Sequence, residues 1–210
     1  MDLVLDETPA AIADLEAAAA LLARESARQL DRVVPDADTA AGAFLARARW
    51  LAREVPDLGL PALDDAALAA LLPAVCHGLR SLDEVASAGW LVHLHGLVGH
   101  DRVADVERLA PTQLELPNGR RVKLAYQAGG PPVLAARIQD LFGVAETPRV
   151  AGGRVAVVLH LLGPNHRPQQ VTSDLAGFWR ATYPQVRREL QRRYPKHAWP
   201  TDPANAEPRQ

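Results

Sequence analysis

Cysteine is nearly absent: Cys76 is the single one in 210 residues. Disulfide frameworks and cysteine-based zinc sites are thereby excluded, and a reducing, cytoplasmic setting is the expectation. No apolar run reaches the roughly 18 residues that a membrane helix requires. The opening residues 1–7, MDLVLDE, are acidic, unlike the basic start of a secretory signal. The phosphate-gripping pattern G-x-x-x-x-G-K-[ST] is also missing, so ATP hydrolysis by that route is not expected of this chain. Ser26, Ser81, Ser87 and Ser173 lack a G-x-S-x-G context, which leaves no acyl-transfer triad to argue. His93, His95 and His100, with His77 and Cys76 nearby, are the nearest approach to a metal set. His93 and His95 are two apart and diverge on a helix, and no further ligand joins them at usable spacing, so no metal is expected.

What is present is unevenly distributed. Residues 1–110 carry 9 Lys and Arg against 18 Asp and Glu, whereas residues 111–210 carry 14 against 7. An acidic half followed by a basic half suggests two modules, or one body with a basic face for a polyanion. The first half reads as helix throughout. Ala and Leu dominate from Pro9 to Leu30, with Leu15, Leu22 and flanking alanines on one stripe. A second helix over Ala40 to Arg53 places Phe44, Leu45, Ala48 and Leu51 on one face. Asp64 or Asp65 can cap a third, and Ser81-Leu82-Asp83-Glu84 has the capping-box form. The apolar run Trp90 to Val98 is read as helix.

The period then changes. Thr112 to Leu116 and Arg121 to Tyr126 alternate around Pro117-Asn118-Gly119, which predicts a hairpin with a type I′ turn. A helix is expected over Val133 to Phe142, and a buried strand over the valine-rich run Arg154 to Leu162. A short partner strand, Gln169 to Thr172, follows the turn at His166-Arg167-Pro168. Gly129-Gly130 and Gly152-Gly153 lack the strand–loop–helix setting of a nucleotide loop and read as turns. Ser173 can cap a helix Asp174 to Thr182, and Thr182-Tyr183-Pro184-Gln185 a last helix ending at Tyr194. The fold class is therefore α+β, with an N-terminal all-helical part followed by a small ββαββαα module. Pro195 to Gln210 should form an extended strap or tail.

The strongest local signal is cationic. Arg187, Arg188, Arg192 and Arg193 lie on the last helix, Lys196 and His197 follow, and Trp179, Tyr183, Tyr194 and Trp199 interleave with them. Guanidinium groups grip phosphates in pairs of hydrogen bonds and aromatics stack on bases, so this mixture suits single-stranded nucleic acid. Arg120, Arg121 and Arg167 extend the candidate set. A competing reading makes the aromatics core and the arginines a solvated face paired with Glu189.

An ordered series of short motifs then resembles the C-terminal region of bacterial HrpB-type ATP-dependent helicases of the DEAH group. It includes Leu109-Ala110-Pro111-Thr112, Leu116-Pro117-Asn118-Gly119-Arg120, Leu141-Phe142-Gly143, Glu146-Thr147-Pro148-Arg149 and His160-Leu161-Leu162. It continues through Arg167-Pro168-Gln169, Phe178-Trp179-Arg180 and Tyr183-Pro184-Gln185-Val186-Arg187, ending with Tyr194-Pro195-Lys196-His197-Ala198-Trp199-Pro200. The fit is close over 109–203 and looser over 40–108. It departs at Gln113, Asn118 and Gly163, where the family pattern favours His, Ser and Ser. The resemblance implies a helical domain of the helicase-associated type over 1–108, an HrpB-like α+β domain over 109–203, and a tail over 204–210. It further implies an accessory module that contacts nucleic acid, RNA or DNA, or positions a motor supplied in cis or in trans. ATP and Mg would belong to motor domains this chain does not carry, and no cofactor is expected here. The alternative is a protein-docking module that recruits the helicase to a partner.

Overall fold

The computed structural model describes residues 14–207; the acidic start, the Pro9–Ala13 portion of the first expected helix and the last three residues of the tail lie outside that range. The chain forms two compact units. One takes the described residues up to Gly42 together with Ala62–Leu97, and the other takes Ala43–Pro61 together with Val98 onward. The chain thus passes between units three times, inside α3 (Ala40–Glu54), between Pro61 and Ala62, and inside α6 (Trp90–Val98).

In the first unit, α1 (Leu15–Arg28) begins where the Asp14 carboxylate accepts from the Ala17 N–H at 2.9 Å. Its buried stripe is Ala19, Ala23 and Ser26, not the leucines: Leu15 remains half exposed. Small residues on that stripe leave room for Leu68, Leu72 and Val75 of α4 (Asp65–Val75), the helix that packs against it. Asp64 caps α4, and Ser81 caps α5 (Leu82–Ala86) by accepting from the Glu84 N–H, as the sequence motifs predict. A short helix, α2 (Leu30–Val33), is tied to α5 by Arg32 and Asp83 at 2.9 Å. Trp90 of α6 is fully buried and donates through Nε1 to the Val85 carbonyl. Cys76 is buried as well, with Sγ 3.8 Å from the Ser26 hydroxyl; burial pushes its thiol up.

The second unit is built on a five-stranded sheet. Its strands are β1 (Gln113–Glu115), β2 (Arg121–Ala125), β3 (Val133–Arg137), β6 (Val158–Leu162) and β7 (Pro168–Thr172), ordered β1-β2-β3-β6-β7. All neighbours are antiparallel except β3 and β6, which run parallel, with β4 (Arg149–Val150) and β5 (Val155–Ala156) forming a separate hairpin in the crossover. Leu124, Leu134, Ala136, Leu159 and Leu161 alternate inward as the core face.

α3 and α7 (His100–Leu109) complete this unit from the helical half. Arg47 on α3, only 6% exposed, holds the Glu107 carboxylate of α7 with two nitrogens, at 2.9 and 2.6 Å, and reaches the Ala110 carbonyl at 3.0 Å. One turn on, Trp50 donates to the Gly130 carbonyl and meets the Tyr126 ring edge-on at 5.0 Å.

Three expectations give way to tertiary context. Val133 to Phe142 is not a helix: Val133–Arg137 is the central strand β3 and Ile138–Leu141 a single 3-10 turn. Leu-Ala-Ala-Arg favours helix locally, but strands on both sides claim its backbone, and that outweighs a propensity of a few tenths of a kcal/mol per residue. The run Arg154 to Leu162 is interrupted at Val157, whose N–H bonds the Pro148 carbonyl. The hairpin turn is not type I′, because Asn118 does not have a positive φ; only Gly119 does, at 77°. Pro117 and Asn118 instead form a turn closed by the Gly119 N–H on the Leu116 carbonyl, with Gly119 in the left-handed position that follows.

The C-terminal helices also differ. Asp174, not Ser173, caps α8 (Leu175–Gly177), and Thr182 caps nothing. The chain stays helical through a wide turn, Phe178–Thr182, in which the Tyr183 N–H bonds the Phe178 carbonyl five residues back, and runs straight into α9 (Tyr183–Arg193). Pro184 accounts for this, since its ring displaces the carbonyl four residues earlier and it has no N–H to give. The residues after α9 form the expected strap. Trp199 is buried, the Tyr183 hydroxyl donates to the Pro200 carbonyl, and the Gly143 N–H bonds the Pro203 carbonyl.

One charged joint fixes the lower end of the sheet. Asp140, in the turn after β3, is buried and accepts from Arg120 Nη1 (3.0 and 3.1 Å), Arg137 Nε and Nη2 (3.1 and 3.0 Å) and Asn118 Nδ2 (3.2 Å). Burial alone would raise this carboxyl, but the hydrogen bonds and charge of Arg137, then those of Arg120, overcome it and hold it below the ordinary carboxylate range.

Gly119→Val should lower stability by roughly 1–3 kcal/mol in chemical denaturation, because a β-branched residue resists positive φ. Asp140→Asn should cost roughly 1–3 kcal/mol at neutral pH, the range for charge-assisted hydrogen bonds. The folded carboxyl titrates lower than the unfolded one. Its contribution is therefore complete above about pH 4, the unfolded value, and disappears as pH falls through the lower folded value. Denaturation midpoints followed from pH 6 downward should converge for wild type and variant.

Candidate nucleic-acid interface

On α9 the apolar residues Tyr183, Val186 and Leu190 share the inward side, with Tyr183 and Leu190 buried. Arg188 and Arg192, four apart, lie on the opposite side and are exposed, and Arg193 and Lys196 are exposed beside and beyond them. Among the described residues none of these four pairs with a carboxylate; Glu189, on the same helix, is paired with none of them. Arg192 and Arg193 occupy the last turn, where cations are also favoured by the helix dipole.

Arg187 is held differently. It is half-buried and its Nε donates to the Trp199 carbonyl at 2.8 Å, so it braces the strap. Tyr183 beside it is buried, and desolvation raises its phenol to about 12, so it stays a protonated donor to Pro200.

The remaining candidates separate into distinct environments. Trp179 is only 6% exposed, its Nε1 donates to the Val144 carbonyl, and its ring packs among Phe142, Phe178 and Tyr183 at 5.1–6.2 Å. A ring so enclosed has no open face on which a base can stack, so the stacking role expected of it is withdrawn. Arg120 is engaged with Asp140, and Arg121 lies 3.4 Å from Glu115. Arg167 is exposed in the turn between β6 and β7, where His166 has φ 61°.

Sequence reasoning passed over Arg137, Asn118 and Asp140, which the fold joins to Arg120 across about 20 positions. No local spacing announces such a joint. Arg180, exposed on the wide turn, lies one residue from Trp179. Among the described residues no three His, Cys, Asp or Glu converge as a metal cage requires, and no helix is long and apolar enough to cross a membrane.

Comparison with known proteins agrees with this architecture. Residues 71–203 match the family model described as the C-terminal region of ATP-dependent helicases of the HrpB type. The ATP-dependent RNA helicase HrpB of Escherichia coli K12 is 40% identical over 170 residues, which cover 79% of this chain and 20% of that protein. A crystal structure of the E. coli DExH-box NTPase HrpB superposes with a TM-score of 0.83 at 35% identity, covering 96% of this chain and 26% of the other. A second, of the E. coli DEAH/RHA helicase HrpB, gives 0.69 at 33% identity, covering 94% and 25%. The chain thus spans about a quarter or less of the length of these relatives. It belongs to the HrpB helicase family and corresponds to that family's C-terminal region.

Proposed function

We propose that this chain serves as the accessory module of an HrpB-type ATP-dependent helicase in the cytoplasm and contacts single-stranded nucleic acid through the outer face of α9. The observation that carries the reading is the exposed and unpaired state of Arg188, Arg192, Arg193 and Lys196 on a helix anchored from behind. Cations with no carboxylate partner are free to replace the counterions of a phosphate backbone. Arg187 stiffens the same helix through the Trp199 carbonyl, so the face is presented on a rigid support. RNA is the first strand to test, because the E. coli relative is named an RNA helicase. In this reading the motor domains hold ATP and Mg, and the module positions the strand relative to them.

The double variant Arg188→Ala/Arg192→Ala should keep its stability to within about 0.5 kcal/mol, as exposed substitutions do. Its affinity for a labelled oligouridylate should fall, and the slope of log affinity against log salt should shrink by roughly one to two units. Anisotropy titrations at several salt concentrations measure both. Equal binding by both proteins, or binding by neither, would overturn the reading in favour of a surface that docks an acidic protein.

A further inference from the structure

The Asp140 joint forms one wall of a cleft of about 720 Å³, within the roughly 300–1,000 Å³ usual for small-molecule sites. The opposite wall is the strap, through His197–Pro200 and, further along, Ala206 and Glu207. Two guanidinium groups face a single carboxylate there, which leaves the joint with one excess positive charge. Arg120 engages Asp140 through Nη1 alone, and Arg137 through Nε and Nη2. Arg120 Nε and Nη2 and Arg137 Nη1 are therefore uncommitted, on side chains 51% and 34% exposed that line the cleft. The Glu207 carboxylate is the other acidic group on the lining, at the exposed strap end. Gln139 adds a second feature: both of its amide atoms are shielded from solvent without a hydrogen-bond partner, and the residue lines the same cleft. Buried amides are normally satisfied, so an unpaired donor and acceptor beside a cleft mark a place where a ligand has something to offer.

We infer that this cleft binds a nucleotide, with its phosphate on the free guanidinium nitrogens of Arg120 and Arg137 and its base toward Gln139 and the strap. Paired N–H groups on a planar cation match phosphate oxygens, and Asp140 fixes the orientation of both cations while offsetting only one of their two charges. The Gln139 amide, shielded and unpaired on the lining of the cleft, offers the donor–acceptor pair that a base edge needs. The site does not rest on the α9 surface, because none of Arg188, Arg192 or Arg193 lines it. The nucleotide can be free or can be one unit of a strand, and the chemistry of recognition is the same.

Calorimetric titration of the whole chain with AMP, and separately with adenosine, tests the assignment. AMP should bind, and adenosine should bind about tenfold more weakly, as expected when charge-assisted hydrogen bonds are lost. Arg120→Gln should weaken AMP binding by a similar factor of about ten. Ala206→Trp, which fills the cleft and leaves the arginine joint intact, should abolish it, with the melting temperature confirming that both variants fold. Arg188→Ala/Arg192→Ala should bind AMP as wild type does, so failure of the α9 surface and failure of the cleft are separately visible. Displacement of AMP by octauridylate would identify a strand as the source, and no displacement a free nucleotide. Wild type that ignores AMP at millimolar concentration, or Ala206→Trp that binds it undiminished, would overturn the assignment.

Discussion

A carboxylate taken out of water stays ionised only if cations and N–H donors replace the hydration it loses, and in the sheet-bearing unit Asp140 is that carboxylate. Its five hydrogen bonds come from the hairpin turn through Asn118 and Arg120 and from the end of the central strand through Arg137. Neither source is placed without the other. The turn must close at Gly119 for Arg120 to point inward, and β3 must end at Arg137 for the chain to return Asp140 beneath it. The same joint supplies one wall of the cleft, so what holds the sheet's lower end also gives that cleft its charge.

A comparable constraint operates where the helical half of the sequence meets the sheet. Arg47 is buried with a carboxylate and a carbonyl on two of its nitrogens, while its Nε has no partner. A cation in that position is tolerated only because Glu107 and Ala110 reach it together. This explains why α7 and most of α3, which lie in the helical half of the sequence, belong to the compact unit of the sheet.

Much of the fold is legible in the sequence where the signal is local. The Asp64 and Ser81 caps, the Phe44–Leu51 face, the hairpin strands and the strap all follow from residues within a few positions of one another. What is not legible depends on distant partners. Val133–Arg137 has a helical composition and becomes a strand because β2 and β6 lie on either side of it. The family resemblance was readable from ordered motifs, yet most of those motifs mark structure: the tryptophan of Phe178-Trp179-Arg180 is core, and the arginine of Leu116-Pro117-Asn118-Gly119-Arg120 holds Asp140. The cationic side of α9 was visible from four-residue spacing alone, whereas Arg137 and Gln139 acquire a role only once the chain is folded.

The wide turn at Phe178–Thr182 has a consequence for angular phase. Between two segments of ordinary helix it inserts an extra residue, and each residue of an α-helix turns the axis by about 100°. That added residue brings Tyr183 round to the side of Phe178, where its ring lies 6.2 Å from both Phe178 and Phe142. Everything beyond inherits the same rotation. A chain one residue shorter here would keep its helix, yet carry Arg188 and Arg192 off the outer side and turn Leu190 out of the core. The direction in which the cations face is thus decided by a proline at the start of the helix that carries them.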